Sequence, residues 1–181
     1  MALTPVLVVL FERLVPKDAA SKPVYDHIDE DDIPRVIIAG FGRFGQIIAR
    51  VLRANKIRFT AIESSIEQVE ASRRFGSQIY YGDPSRSDLL RSTHADKAEL
   101  FIVATDDPET NIRTARLVRR MYPQLKVFAR ARNRQHAFRL MDLGVHVVRE
   151  TFHSSLVMSR EALEQLGLPP DVAAQRVDTF R

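Results

Sequence analysis

Gly40, Gly42 and Gly45 stand in G-x-G-x-x-G spacing directly after the apolar run Val36-Ile37-Ile38-Ala39. Glu63 follows a second apolar run, Phe59 to Ile62. Each glycine answers a physical need. Gly40 permits a tight turn, Gly42 lets a phosphate approach the backbone, and Gly45 lets the following helix pack close to the strand. Phe41, Arg43 and Phe44 fill the loop and the first helical turn, where unpaired N–H groups and the positive end of the helix dipole favour an anion. A carboxylate at the position of Glu63 can accept hydrogen bonds from ribose hydroxyls and would repel a 2′-phosphate. Strand, glycines, helix, strand and acid in this order point to a Rossmann-type nucleotide-binding unit.

In such sheets the ligand lies outside the carboxyl ends of the strands. Those ends carry the glycine loop, then Glu63 and Ser64, then Gly82 and Asp83, then Thr105, Asp106 and Asp107, and last Arg130 and Arg132. Asp83 can hold the adenine end of a ligand or close a backbone turn. Asp106-Asp107-Pro108 can line the pocket or cap the next helix. Arg130 and Arg132, two apart on a strand, can bind phosphate or carboxylate, or stand in solvent as a strand end.

These residues need a scaffold, and the hydrophobic pattern supplies one. Short apolar strands read at 35–39, 58–62, 78–81, 99–103, 126–130 and, more weakly, 145–148. Helices read at 43–54, 65–75, 86–92, 108–121, 133–142 and 152–166. Strands that alternate with helices and are apolar on both faces predict an α/β fold, a doubly wound parallel sheet with a C-terminal helical extension. The last helix carries Leu156, Met158, Ala162, Leu163 and Leu166, a stripe that must pack on the domain or on another subunit.

The 181 residues contain no Cys and no Trp, which removes disulfides, thiolate metal sites and a Cys nucleophile. Charge is uneven. Residues 1–34 carry 3 basic and 7 acidic side chains, net −4; the other 147 carry 24 basic and 16 acidic, net +8. A basic globular part suits an anionic ligand or membrane proximity. Nucleic acid is not indicated, because no recognition helix, aromatic-basic strand pattern or zinc spacing is present. Residues 1–11 are apolar but far short of the ~20 residues of a spanning helix. Residues 12–34, with Pro16, Pro23, Pro34 and the acidic run Asp29 to Asp32, read as a linker. His27, His94, His136, His146 and His153 show no metal-ligand spacing. His94 and His136 read as surface or helix-packing residues. No second domain and no proton donor for hydride transfer is evident, so nucleotide binding without a chemical apparatus points to a sensor and not an enzyme.

Several segments resemble one family closely: Ile38 to Gln46, Tyr81-Gly82-Asp83, Asp106 to Asn111, Ala129-Arg130-Ala131-Arg132 and Arg149-Glu150-Thr151-Phe152. They are similar to the cytosolic regulatory domain of Kef-type glutathione-gated potassium efflux systems, an RCK or KTN domain. Met1 to Pro5 resembles the end of that family's last transmembrane helix. The resemblance implies four regions: 1–11 as that helix end, 12–34 as linker, 35–149 as the nucleotide-binding domain and 150–181 as a dimerisation segment. It implies the cytoplasmic part of a bacterial inner-membrane potassium/proton antiport system, joined to the membrane-embedded transport domain of the same protein and to a quinone-reductase-like ancillary subunit.

It further implies a homodimer that binds AMP or NAD(H) at the glycine loop and glutathione or its conjugates at the dimer cleft. By position, the glutathione-site arginines fall on Arg50 and Arg149, and the aromatic that a bulky conjugate displaces falls on Phe75. The residues alone read Arg50 as an exposed helix residue and Phe75 as a core aromatic. His153 stands where the family can place an acid, and a further asparagine of the family's glutathione site would lie past Arg181. Two other readings remain open: an RCK domain gated by nucleotide alone, and a small NAD-dependent oxidoreductase.

Overall fold

The computed structural model describes residues 33–73 and 79–180. The sequence expectations for residues 1–32, and that for Phe75, lie outside the described residues. Six strands form one parallel sheet: β1 (Val36–Ala39), β2 (Phe59–Glu63), β3 (Ile79–Tyr81), β4 (Leu100–Val103), β5 (Lys126–Ala131) and β6 (His146–Arg149). Their spatial order is β3-β2-β1-β4-β5-β6. Val36 pairs with Phe59 on one side and with Leu100 on the other, so β1 is central and the chain reverses direction across the sheet at β1/β4. That reversal is where a doubly wound sheet opens its crevice.

The helices are α1 (Arg43–Ala54), α2 (Ile66–Arg73), α3 (Ser87–Ser92), α4 (Pro108–Met121), α5 (Arg134–Met141), α6 (Phe152–Gln165) and α7 (Pro170–Asp178). Alternation along β1 divides the core. Ile37 and Ala39 face a cluster with Leu89 and Leu90 of α3, Ile112, Ala115 and Val118 of α4, and Ala137 and Leu140 of α5. Val36 and Ile38 face Ala49 of α1 and Val69 of α2. Ile37 and Ile38 are wholly buried, each worth about 1.5–3 kcal/mol relative to exposure. The short continuous apolar runs follow from this arrangement, because each central strand needs two apolar faces.

Local signals start several helices. Asp107 caps α4 by accepting from Thr110 N at 2.7 Å, and Pro108 occupies its first turn, so capping is the role the structure gives Asp107. Asn133 caps α5 by accepting from His136 N at 2.8 Å. α1 has neither a side-chain cap nor an acid in its first turn, which leaves its N-terminal N–H groups facing the crevice.

The stripe expected on the last helix is only partly used. Leu156, Ala162 and Leu163 line a groove of about 660 Å³ closed by Leu168, Val177 and Phe180. Met158 and Leu166 are largely exposed instead, because the groove follows the face that α7 covers. Among the described residues no helix is long and apolar enough to cross a membrane, and no cluster of metal-ligating side chains occurs.

Candidate functional site

A cleft of about 270 Å³ opens at the β1/β4 reversal. Gly40 and Gly42 form one wall, Glu63, Ser64, Ser65 and Gln68 a second, and Thr105, Asp106, Asp107 and Thr110 a third. Each wall is a strand end together with the start of the helix it feeds.

The glycines behave differently from one another. Gly40 has φ +97°, and a Cβ there would lie 2.5 Å from Thr105 N. A Cβ on Gly45 would lie 2.2 Å from the Gly40 carbonyl oxygen, so helix and loop touch at that point. A Cβ on Gly42 meets only Asp106 Oδ2, at 3.4 Å. Gly42 therefore borders the cleft without the close backbone contacts of Gly40 and Gly45, which is what a phosphate cradle requires. The side chain of Gln46 donates to the Phe41 carbonyl at 3.1 Å and steadies the loop.

Glu63 is bound into the loop it faces. Oε2 accepts from Phe41 N at 2.7 Å and Oε1 from Ser65 N at 2.9 Å; the Ser64 hydroxyl stands 3.4 Å from Oε1. The carboxylate is thus oriented before any ligand arrives, and it retains acceptor capacity for hydroxyl groups. The residues present fit a nucleotide: a bare helix N-terminus, a Cβ-free approach and an oriented strand-end acid.

Not every expected residue lines this cleft. Phe41 is buried; its backbone N–H is taken by Glu63 and its carbonyl by Gln46. Arg43 is exposed, and Phe44 packs beneath Arg130 with the guanidinium 5.4 Å from the ring centre. Gly82 and Asp83 lie at the end of β3, beyond the lining. Asp83 Oδ1 accepts from Ser85 N at 2.8 Å and from its hydroxyl at 2.7 Å, so it closes a turn, one of its two expected roles. Ser65, Gln68 and Thr110 line the cleft without having been singled out in the sequence. Their only sequence signal is their place in the first residues after β2 and β4.

Arg130 takes one of its two expected roles: it binds carboxylates and is not a solvated strand end. Its side chain is 8% exposed and ion-paired with Asp106 and Glu150, both at 2.6 Å. Burial works to lower its pKa, but the bonds and charges of Glu150 and Asp106 prevail and raise it. Arg132, just past β5, is exposed. Asn111, buried, makes four side-chain hydrogen bonds. Oδ1 accepts from Thr105 N and its hydroxyl; Nδ2 donates to the carbonyls of Thr105 and Arg130. It clamps the loop after β4 to β5.

Arg50 and Arg149 occupy separate places. Arg50 lines a cleft of about 200 Å³ with Phe41, Gln46, Arg53 and Ser72. Arg149 lies 3.7 Å from the Phe152 ring centre and lines a cavity of about 460 Å³ with Arg134, Phe138 and Phe180. The two arginines thus line different cavities.

The TrkA-N domain family model matches residues 36–150. The glutathione-regulated potassium-efflux system protein KefC of Escherichia coli is 44% identical over 182 aligned residues, which cover 100% of this chain and 29% of that protein. The chain thus spans less than a third of that relative's length. Among solved structures, the Shewanella denitrificans Kef CTD in AMP-bound form matches with TM-score 0.72 and 39% identity, over 80% of this chain and 89% of that one. A GsuK channel bound to NAD matches with TM-score 0.67 and 18% identity, over 87% of this chain and 29% of that one, a likeness of fold. The chain belongs to the TrkA-N domain family, as a relative of the Kef-type C-terminal domains.

Proposed function

We propose that this chain is a ligand-sensing regulatory domain and not an enzyme, and that it gates a bacterial potassium efflux system of the potassium/proton antiport kind. On this reading it is the cytoplasmic part of an inner-membrane protein and acts on that protein's membrane-embedded transport domain, with a quinone-reductase-like subunit as an ancillary partner. AMP or NAD(H) occupies the cleft formed by Gly40, Gly42, Glu63 and Thr105. The observation that carries the reading is Gly42, whose missing Cβ faces open cleft beside an oriented Glu63, in a chain 39% identical to an AMP-bound Kef domain. Calorimetry tests it: Gly42→Val, which fills the phosphate space, abolishes AMP binding. Unchanged affinity in that variant refutes the site.

The finer reading is a homodimer that binds glutathione or its conjugates between two copies. Arg50 of one protomer and Arg149 of its partner hold the two carboxylates, and Phe75 yields to a conjugate's bulk. Two features support a cleft shared between copies. The exposed face of α1 presents Ile47 and Val51, one turn apart and 62% and 58% exposed, with Arg50 adjacent to Val51 in the chain. The Arg149 cavity combines Arg134 and Arg149 with aromatic walls, chemistry suited to a peptide with two carboxylates. Arg149→Ala weakens glutathione binding by about 1.5–3 kcal/mol, the range for hydrogen bonds to charged groups. Titrating a chain extended beyond Arg181 with glutathione and an S-alkyl adduct decides the matter. Full affinity of Arg149→Ala for both refutes the site, and equal conformational response to both refutes the switch.

A further inference from the structure

Arg130 is anchored on one side and exchangeable on the other. Nε and Nη2 both donate to Glu150 Oε2, at 2.8 and 2.6 Å. Nη1 donates to the Ala104 carbonyl at 3.3 Å and to Asp106 Oδ1 at 2.6 Å. The Phe44 ring lies beneath the guanidinium. Glu150, the carbonyl and the ring fix the arginine in place. Asp106 is bound differently, because its side chain is 77% exposed while Arg130 is buried.

The other oxygen of Asp106 faces the glycine loop. Oδ2 lies 3.4 Å from the point where a Cβ on Gly42 would stand. That point marks the backbone approach for a phosphate, at the start of a helix with no cap and no acid of its own. A carboxylate there meets the same needs as a phosphate oxygen. It answers the positive end of α1 and accepts from a buried arginine. A phosphate dianion cannot share that space with it without strong repulsion.

We propose that Asp106 is the resident anion of the phosphate subsite. A phosphate monoester binds by displacing the Asp106 carboxylate and taking over Nη1 of Arg130, while Glu150 keeps the guanidinium in position. Arg130 is then a phosphate ligand that no spacing rule for the glycine loop includes, and Asp106 is an internal competitor that sets affinity below what the loop could deliver. The proposal deepens the nucleotide reading given above and rests on it.

The test is calorimetry on the 181-residue chain with AMP and with adenosine, which lacks the phosphate. Asp106→Asn keeps the size and an acceptor for Arg130 but removes the charge. A phosphate carries nearly two negative charges, and a carboxylate beside it repels it even in water. AMP therefore binds Asp106→Asn about tenfold more tightly, adenosine affinity stays as in the parent, and the gain shrinks at high salt. Arg130→Lys, checked for folding by its melting curve, weakens AMP and spares adenosine. AMP affinity that is unchanged or weaker in Asp106→Asn overturns the proposal, as does an equal change for adenosine. A parent chain that binds neither ligand overturns the nucleotide reading, and this proposal with it; a parent that binds AMP normally while the Asn variant shows no gain overturns the proposal alone.

Discussion

One added methyl group at Gly40, Gly42 or Gly45 produces three different molecules. At Gly45 the new Cβ would lie 2.2 Å from the Gly40 carbonyl oxygen. Neither atom belongs to a flexible side chain, so α1 must move away from the loop. Overpacking of this kind costs about 1–3 kcal/mol, against a helix-propensity gain of about 1 kcal/mol for Gly→Ala. Gly45→Ala is therefore destabilised, and by less than the overlap alone suggests. At Gly40 the positive φ and three backbone atoms within 2.7 Å act together with no helical gain to offset them, so Gly40→Ala is the least stable of the set. Gly42 has φ −67° and ψ −168°, open to any residue. Losing glycine's freedom in the unfolded chain stabilises by about 0.4–1 kcal/mol, and alanine's poor fit at a helix cap takes back a similar amount. Gly42→Ala therefore keeps the parent's stability and loses AMP affinity. Urea unfolding and calorimetry on the same three preparations measure both quantities. A Gly42→Ala protein that unfolds early, or a Gly45→Ala protein as stable as the parent, would refute the reasoning from contacts.

Other outcomes follow from single contacts. Asn111→Leu leaves Thr105 N and the Arg130 carbonyl without their buried partner, at about 1–3 kcal/mol for each group; a urea midpoint matching the parent's would contradict this clamp. His136 has its pKa lowered, first by burial and then by the charge of Arg139. The unfolded chain therefore takes up the proton first, and stability is lost as pH falls below the ordinary value of about 6.5 toward the depressed folded value. His136→Asn should lose less stability over that window, and parallel curves for parent and variant would exclude the histidine as the cause. Leu163→Asp in the α6/α7 groove converts the proposed dimer to a monomer by light scattering; a parent that is already monomeric at on the order of tens of micromolar refutes the dimer.

The sheet was legible because its signal is local. Val36 to Ala39 and Leu100 to Val103 are apolar throughout, and nothing distant is needed to see that both of their faces are covered. The glycine loop and Glu63 were legible for the same reason. For Arg130 the sequence left two roles open, because a charged residue at a strand end normally stands in water. Its burial depends on Glu150, which arrives one crossover later, and on Asp106 from the strand before. Asn111 stood in the segment after β4 without a role of its own, yet it bonds across two strand ends. α7 was missed because its apolar residues, Val172, Ala173 and Val177, are few and small, and only the Pro169-Pro170 start signals a helix.

The central position of β1 has a consequence for how the molecule is made. Val36 can meet Phe59 soon after β2 emerges during synthesis, but its other partner, Leu100, is distant along the chain. Until β4 arrives, β1 is an open edge with apolar faces, the kind of template that recruits a second unfinished chain. Parallel pairing across such separations is slow, because loop closure precedes any reward from contact. The crevice between β1 and β4 is then completed only when the two halves of the sheet join. A ligand of that crevice cannot guide early folding and acts by capturing the finished state. Pulse-labelled hydrogen exchange would show this as early protection at the β1–β2 ladder and later protection at β1–β4.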